Sequence, residues 1–141
     1  TMDVYFNFIS NNPVLFILFF VILGFIIFNE YKTLTQKFKN ISPQDAVFLI
    51  NNDAFILDVR ESSELSQGLI KDSKHINFSS VQSSLDSIKK YSSKPTIVYC
   101  KSGVRSATIS NILSKNNFDE VYSLKGGFEA WVSDNLPVVK G

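Results

Sequence analysis

The sequence predicts an α/β domain, a parallel sheet flanked by helices, preceded by a single helix able to span a membrane. Three observations carry that expectation. Short apolar runs, "AFILDV", "TIVYC" and "EVYSL", alternate with stretches of helical periodicity, which argues parallel strands covered on both faces. Residues 14 to 28, "VLFILFFVILGFIIF", are apolar without a break. All 14 Lys and Arg residues follow position 31.

A chain of 141 residues suffices for one ordinary domain and a short appendage. A net charge of +1 gives no electrostatic case for nucleic acid. The single cysteine, Cys100, excludes an intramolecular disulfide, a CxxC redox pair and a cysteine-rich zinc site. Neither a metal nor a cofactor is expected. A lone thiol also suits a reducing compartment better than an oxidising one.

The apolar run alone rises only about 22 Å as a helix, short of a roughly 30 Å hydrocarbon core. Its flanks supply the rest. Asn12 suits a helix N-cap and Pro13 a first turn. Continuing to Leu34 places Tyr31 at the interface, with Lys32 able to snorkel. Upstream, "VYFNFI" either lies in the other interface or extends the helix past a kink at Pro13. A cleaved signal peptide would want basic residues before the run and small residues after it; Asp3 precedes it and "NEYKTLTQ" follows. A permanent anchor, contacting lipid through residues 13–34, fits better. Lys32, Lys37 and Lys39 follow the span and no Lys or Arg precedes it. The positive-inside rule then puts the following domain in the cytoplasm and the N-terminus outside, as in a single-pass protein of a cell inner membrane. The organisation expected is an anchor over 1–34, a linker over 35–40 and a domain over 41–141.

In the domain, "SPQDAVFLIN" opens a helix with Ser42 as N-cap, Pro43 first and Asp45 completing a capping box. "AFILDV" (54–59) is a buried strand, and "ESSELSQG" one or two helical turns ended by Gly68. "HIN" (75–77) is a brief extended piece. "SSVQSSLDSIKKY" carries Val81, Leu85 and Ile88 on one helical face. "TIVYC" (96–100) is the second strand, after Pro95. "RSATISNILSKN" is a helix with Ala107, Ile109, Ile112 and Leu113 as its apolar positions. "EVYSL" (120–124) is the third strand, followed by the Gly-led turn and short helix of "GGFEAWVSDN". Ligands of such folds sit at the carboxyl ends of the strands, the edge where Cys100 falls.

Free cysteines are often buried as small hydrophobes, but the "KSGVRS" that follows this one is polar and glycine-bearing, the composition of a surface loop. A strand leading through such a turn into a helix leaves backbone N–H groups without internal partners. With the helix dipole they favour a negative charge above the strand end. Gly103 permits positive φ. Lys101 and Arg105 add positive charge. A thiol of reference pKa roughly 8.5 is pushed toward thiolate there, and a thiolate is a nucleophile that needs no histidine base.

"VYCKSGVRS" resembles the active-site loop of the rhodanese family of sulfurtransferases: Cys, two residues, Gly, one residue, Arg-Ser. "ILDVRESSEL" is similar to that family's Asp-Val-Arg-x-x-x-Glu segment, here Asp58, Val59, Arg60 and Glu64. "GLIKDSKHIN" occupies the place of its Gly-His-Ile segment, although Leu69, Asp72-Ser73 and Asn77 replace the usual His, Gly-Ala and Pro. "LKGGFEAW" resembles its Leu-x-Gly-Gly…Trp close, here Leu124, Gly126, Gly127 and Trp131. The matches run in family order from about 41 to 135.

The resemblance implies a rhodanese-like sheet and a two-step reaction. Cys100 takes sulfane sulfur from a donor such as thiosulfate, becomes a persulfide, and passes the sulfur to a thiol or cyanide. Lys101, Ser102, Gly103, Val104 and Arg105 would bind the donor, with Asp58, Arg60 and Ser106 supporting the loop. Two readings of Arg105 stay open: it binds the donor, or it pairs with an acid such as Asp58 or Glu64. Asp58 and Arg60 are better read as braces than as substrate contacts. His75 is read as a turn residue, and Gly126, Gly127 and Trp131 as turn and packing residues. A cysteine phosphatase would carry five residues between Cys and Arg, whereas four stand here. The alternative from another class is a membrane-tethered adaptor of the same fold that docks on, or hands sulfur to, one protein partner.

Overall fold

A computed structural model describes residues 1–35 and 37–140; Gln36, inside the expected linker, and Gly141, at the expected end of the domain, lie outside the described residues. The chain divides into two compact units, with the second beginning at Lys37.

The first unit holds two helices, α1 (Met2–Asn11) and α2 (Pro13–Thr35). The helix therefore continues upstream past a break at Pro13. At the break, the Asn12 amide Nδ2 donates back to the Phe8 carbonyl at 2.9 Å. Within α2, Pro13–Lys32 is long and apolar enough to cross a membrane. Most of its large side chains, Phe19, Phe20 and Phe25 among them, are exposed.

The second unit is a five-stranded parallel sheet with strand order β1-β5-β4-β2-β3. β1 (Lys39–Ile41) is an edge strand paired with β5. The sequence reading treats 35–40 as linker, whereas the structure carries Lys39 and Asn40 in the sheet. With both exposed, this edge strand has no apolar alternation to announce it. Helix α3 (Pro43–Asn51) begins as expected, with Ser42 Oγ accepting from the Asp45 N–H at 3.2 Å. β2 (Phe55–Asp58) follows, then a 3₁₀ turn over Ser62–Gln67 ended by Gly68, then the two-residue β3 (Lys74–His75).

Between β3 and β4 the expected single helix is a relay of 3₁₀ turns around the one-turn α4 (Leu85–Ile88). The serines explain the break: Ser83 Oγ bonds the Ser80 carbonyl at 3.0 Å and Ser87 Oγ the Ser84 carbonyl at 2.6 Å. Such local bonds compete with the i→i−4 ladder. The apolar face is nevertheless right, since Val81 and Ile88 are buried. β4 (Thr96–Tyr99), α5 (Val104–Lys115), β5 (Val121–Leu124) and α6 (Gly127–Ser133) complete the domain.

Strand alternation sorts the core onto two faces. Leu57, Val98, Cys100 and Val121 join Ile109 and Leu113 of α5. Ile56, Ile97, Tyr99 and Leu124 join Ala46 of α3 and Phe128 and Trp131 of α6. Period two thus places Cys100 on the α5 face and its neighbour Tyr99 on the α6 face. The tail closes the domain, with Leu69 and Val139 exchanging backbone hydrogen bonds at 2.9 and 2.8 Å.

Among the described residues, Ser110 Oγ is a buried side-chain oxygen without a hydrogen-bond partner. It lies on the core face of α5. An unpaired buried hydroxyl costs about 1–3 kcal/mol, and alanine is the better helix former. Ser110→Ala is expected to stabilise the domain by about 1 kcal/mol, read as a higher midpoint in urea unfolding of the full chain in detergent.

Candidate functional site

The site forms where β4 ends. Cys100 is the residue after the strand, and its side chain is 1 % exposed. Gly103, at φ 107°, turns the chain back and caps α5. A side chain is strained at that φ. The turn aims two amides at the sulfur: Gly103 N–H donates to Sγ at 3.1 Å and Ser106 N–H at 3.4 Å. Ser106 Oγ stands 3.6 Å from Sγ. Burial pushes the thiol up, but hydrogen bonds from the Ser106 backbone and hydroxyl and from the Gly103 and Ser102 backbone outweigh it. The net displacement is below the ordinary thiol value.

Two carbonyls of the loop are also taken. Phe128 N–H donates to the Cys100 carbonyl at 2.7 Å and Glu129 N–H to the Lys101 carbonyl at 3.1 Å. α6 thus holds the loop carbonyls outward. Gly127 makes this approach possible: a Cβ there would stand 2.5 Å from the Cys100 oxygen and 2.6 Å from that of Lys101. The sequence reading takes Gly127 as a turn residue, and the structure sets it against the Cys loop.

The remaining loop residues separate by exposure. Lys101, Ser102 and Val104 face solvent. Lys101 Nζ lies 3.9 Å from Glu129 at the surface. Arg105 is half-buried and forms a two-pronged ion pair with Glu64, each nitrogen–oxygen distance 2.9 Å. Of the two readings left open, the structure shows the pairing with Glu64. The Arg105 hydrogen bonds hold the Glu64 carboxyl at about 2, with burial opposing and the Glu61 N–H assisting. The same pair raises Arg105.

Asp58 and Arg60 meet each other in the core rather than the loop mouth. Arg60 Nη2 bonds Asp58 Oδ2 at 2.8 Å and the Gly68 carbonyl at 2.8 Å. Its guanidinium sits 4.2 Å above the Phe128 ring. Tyr99 Oη donates to Asp58 Oδ2 at 2.7 Å, and burial followed by the Asp58 charge pushes the phenol up, keeping it a donor. The brace reaches the Cys loop through the 3₁₀ turn, where Arg60 Nη1 contacts the Glu64 carbonyl at 3.4 Å. His75 Nε2 donates to the Arg60 carbonyl at 2.7 Å. Ser106 is fully buried, and its Oγ lies 2.8 Å from that of Ser123 on β5. Sequence reasoning passed over Ser123 and Tyr99. The available signal was a hydroxyl near the carboxyl end of each of two largely apolar strands, Tyr99 in β4 and Ser123 in β5.

The Glu64 displacement fixes a pH window. Its folded value of about 2 lies below its ordinary 4.5, so its contribution to stability is complete above about 4.5 and is lost as pH falls through about 2. Glu64→Gln should therefore cost a constant amount of stability above pH 5, of order 1–2 kcal/mol after allowance for partial exposure. The gap should close as pH approaches 2. Urea unfolding of both proteins across that range measures it; a gap that persists unchanged to pH 2 would contradict the pairing.

Comparison with known proteins agrees with this geometry. The family model described as "Rhodanese-like domain" matches residues 42–134. The chain is 32% identical over 137 residues to the uncharacterized protein YibN of Escherichia coli K12, covering 96% of each. It is 34% identical over 106 residues to a thiosulfate sulfurtransferase GlpE of Actinobacillus pleuropneumoniae, covering 74% of this chain and 96% of that one. The solution structure of a polysulfide-sulfur transferase homodimer from Wolinella succinogenes superposes with a TM-score of 0.67 at 27% identity, covering 84% of this chain and 90% of that one. A sheet of this order with a cysteine turn at its carboxyl edge, and a family match over most of the domain, make this chain a member of the rhodanese-like sulfurtransferase family.

Proposed function

We propose that the chain is a sulfurtransferase that carries sulfane sulfur on Cys100. The observation that supports this most directly is the pair of amides, Gly103 and Ser106, aimed at a buried sulfur. In a site shielded from water such donors stabilise an anion strongly and without rearrangement. In the first step the Cys100 thiolate attacks the outer sulfur of thiosulfate. The S–S bond breaks, sulfite leaves with the electron pair, and Cys100 becomes a persulfide anion. In the second, a thiolate or cyanide attacks the terminal sulfur and Cys100 leaves as thiolate, ready for another cycle. A polysulfide donor reacts by the same displacement with a shorter polysulfide leaving. Names of relatives motivate both donors: thiosulfate from the GlpE proteins and polysulfide from the Wolinella protein.

The loop residues divide the work. Backbone amides of 101–105 surround the incoming sulfur. Lys101, exposed, draws anions toward the mouth. Arg105, held by Glu64, fixes the first turn of α5 and so the direction of the Ser106 N–H. Asp58 and Arg60 brace the floor. Cys100→Ser should abolish transfer, because a hydroxyl without a base is a poor nucleophile. Intact mass after thiosulfate exposure should show one added sulfur atom on wild type and none on the variant. Undiminished turnover by Cys100→Ser would end this reading.

The same proposal includes a location. Lys32, Lys37 and Lys39 follow the apolar span within a dozen residues, against Glu30 alone. Basic residues close to a span resist translocation, which supports a cytoplasmic domain. A reducing cytoplasm would also keep the thiol free between cycles. Protease added to inverted membrane vesicles should remove the domain, and protease added to intact spheroplasts should leave it. Digestion in spheroplasts would reverse the orientation.

A further inference from the structure

Beneath the thiol lies a pair of buried hydroxyls. Ser106, at the start of α5, and Ser123, on β5, are 0 % and 1 % exposed, with their oxygens 2.8 Å apart. The strand register explains the meeting. Ser123 pairs with Val98 of β4, so it shares the α5 face with Cys100, two residues further on. Ser106 Oγ reaches three other groups: Sγ of Cys100 at 3.6 Å, the Gly103 carbonyl at 3.1 Å and Ser123. Among the described residues, Ser106 Oγ is the hydrogen-bond partner the structure gives Ser123 Oγ. That settles the direction. If Ser106 donated to Ser123, the Ser123 proton would be buried without an acceptor, at a cost of about 1–3 kcal/mol. Ser123 therefore donates to Ser106, and Ser106 keeps its own proton for either the Gly103 carbonyl or the sulfur.

We infer that Ser123 is a positioning residue which, through Ser106, sets the ionisation of Cys100. This rests on the reading of Cys100 as the nucleophile. While the sulfur is protonated, its S–H and the Ser123 O–H both point into the Ser106 oxygen, and Ser106 donates to Gly103. When Cys100 releases its proton to solvent, Ser106 turns its hydroxyl from the Gly103 carbonyl to the sulfur. The donors then run head to tail, Ser123 to Ser106 to sulfur. Hydrogen bonds in a chain of one direction reinforce each other in a low-dielectric interior, and two donors converging on one oxygen do not. Ser123 thus favours the thiolate, and by the same geometry a persulfide anion, without touching the sulfur.

Charged groups near the loop are arranged so that a serine on β5 leaves them alone. Lys101 of the loop stands beside Glu129 of α6, and Arg105 of α5 is clasped by Glu64 from the turn after β2, with Glu61 adjacent. Asp58 and Tyr99 bond each other on the opposite sheet face, and His75 of β3 bonds the Arg60 carbonyl.

The test uses the full chain in detergent micelles and does not depend on sulfur transfer. Because Cys100 is the sole cysteine, the pH dependence of iodoacetamide alkylation reads its ionisation alone. Ser123→Ala should raise the midpoint by about 0.5–1 pH unit, equivalent to a roughly three- to tenfold smaller thiolate fraction below it. In a Ser106→Ala background the same change should add no further shift, since its route to the sulfur is gone. Ser110→Ala, another buried serine of α5, should leave the midpoint in place. An unchanged midpoint in Ser123→Ala would overturn the proposal. So would an equal shift in the Ser106→Ala background, or one of the same size in Ser110→Ala, since either would reveal a packing effect. Absence of sulfur transfer by wild type would instead remove the proposed function and leave this measurement standing.

Discussion

The arrangement depends on where two carbonyls point. A trans peptide is planar, so directing its C=O one way directs its N–H the other. The first turn of α6 takes the carbonyls of Cys100 and Lys101, which turns the N–H groups of Lys101 and Ser102 away from α6, and the Ser102 amide is among those that lower the thiol. That docking needs backbone against backbone, and the 2.5 Å a Cβ on Gly127 would leave to the Cys100 oxygen shows there is no room for a side chain. Gly103 answers from the other end, at a φ that brings its own N–H back onto Sγ. Two glycines 24 positions apart in sequence thus form one device, and the surroundings of the Cys100 sulfur are built largely from main chain.

The floor under that device is a buried ion pair. Burying Asp58 and Arg60 is expensive unless both are paired and fully hydrogen-bonded. Here Asp58 accepts from the Arg60 side chain and backbone and from Tyr99, while Arg60 also bonds the Gly68 carbonyl and stacks on Phe128. The pair therefore joins β2, β4, the 3₁₀ turn and α6 at one point. A hydrophobic pair of similar volume would fill the space without fixing the turn that carries Glu64. Through Glu64 the brace reaches Arg105 and the start of α5.

The parts legible in the sequence are those written in short-range patterns. Short apolar runs announced β2, β4 and β5, capping residues announced α3, apolar positions at helical spacing announced α5, and a Gly-led turn announced α6. Polar residues and a glycine directly after Cys100 announced a surface turn. The misses are of two physical kinds. Lys39–Ile41 and the 78–91 region fail because local chemistry hides them: an edge strand with exposed polar residues has no alternation, and serines that bond their own carbonyls break an apolar helical pattern into 3₁₀ turns. Arg105 and Ser123 were undecided or unseen because their partners are 41 and 17 residues away. No local pattern encodes which carboxylate meets a guanidinium, or that a serine in β5 lies under a thiol in the turn after β4.

The disposition of charge bears on what kind of site this is. The charged side chains at the mouth each stand by a carboxylate, Arg105 with Glu64 and Lys101 beside Glu129, and the Arg105 charge also bears on Cys100. What lies nearest the sulfur is a set of dipoles held by the fold: the amides of Ser102, Gly103 and Ser106, and a hydroxyl pair behind them. Dipoles of this kind act over a few ångströms and are shielded from salt by burial, whereas surface charges are screened beyond roughly 8–10 Å at ordinary ionic strength. Such a site stabilises an anion only where it is seated in the turn. Under the proposed function it would offer the same donors to a thiolate and to a persulfide one sulfur longer, with no base to be reprotonated between them. In the proposed cycle a histidine near the sulfur would add a titration to each half. The chain's only histidine is instead engaged with the Arg60 carbonyl, on the brace and away from the chemistry.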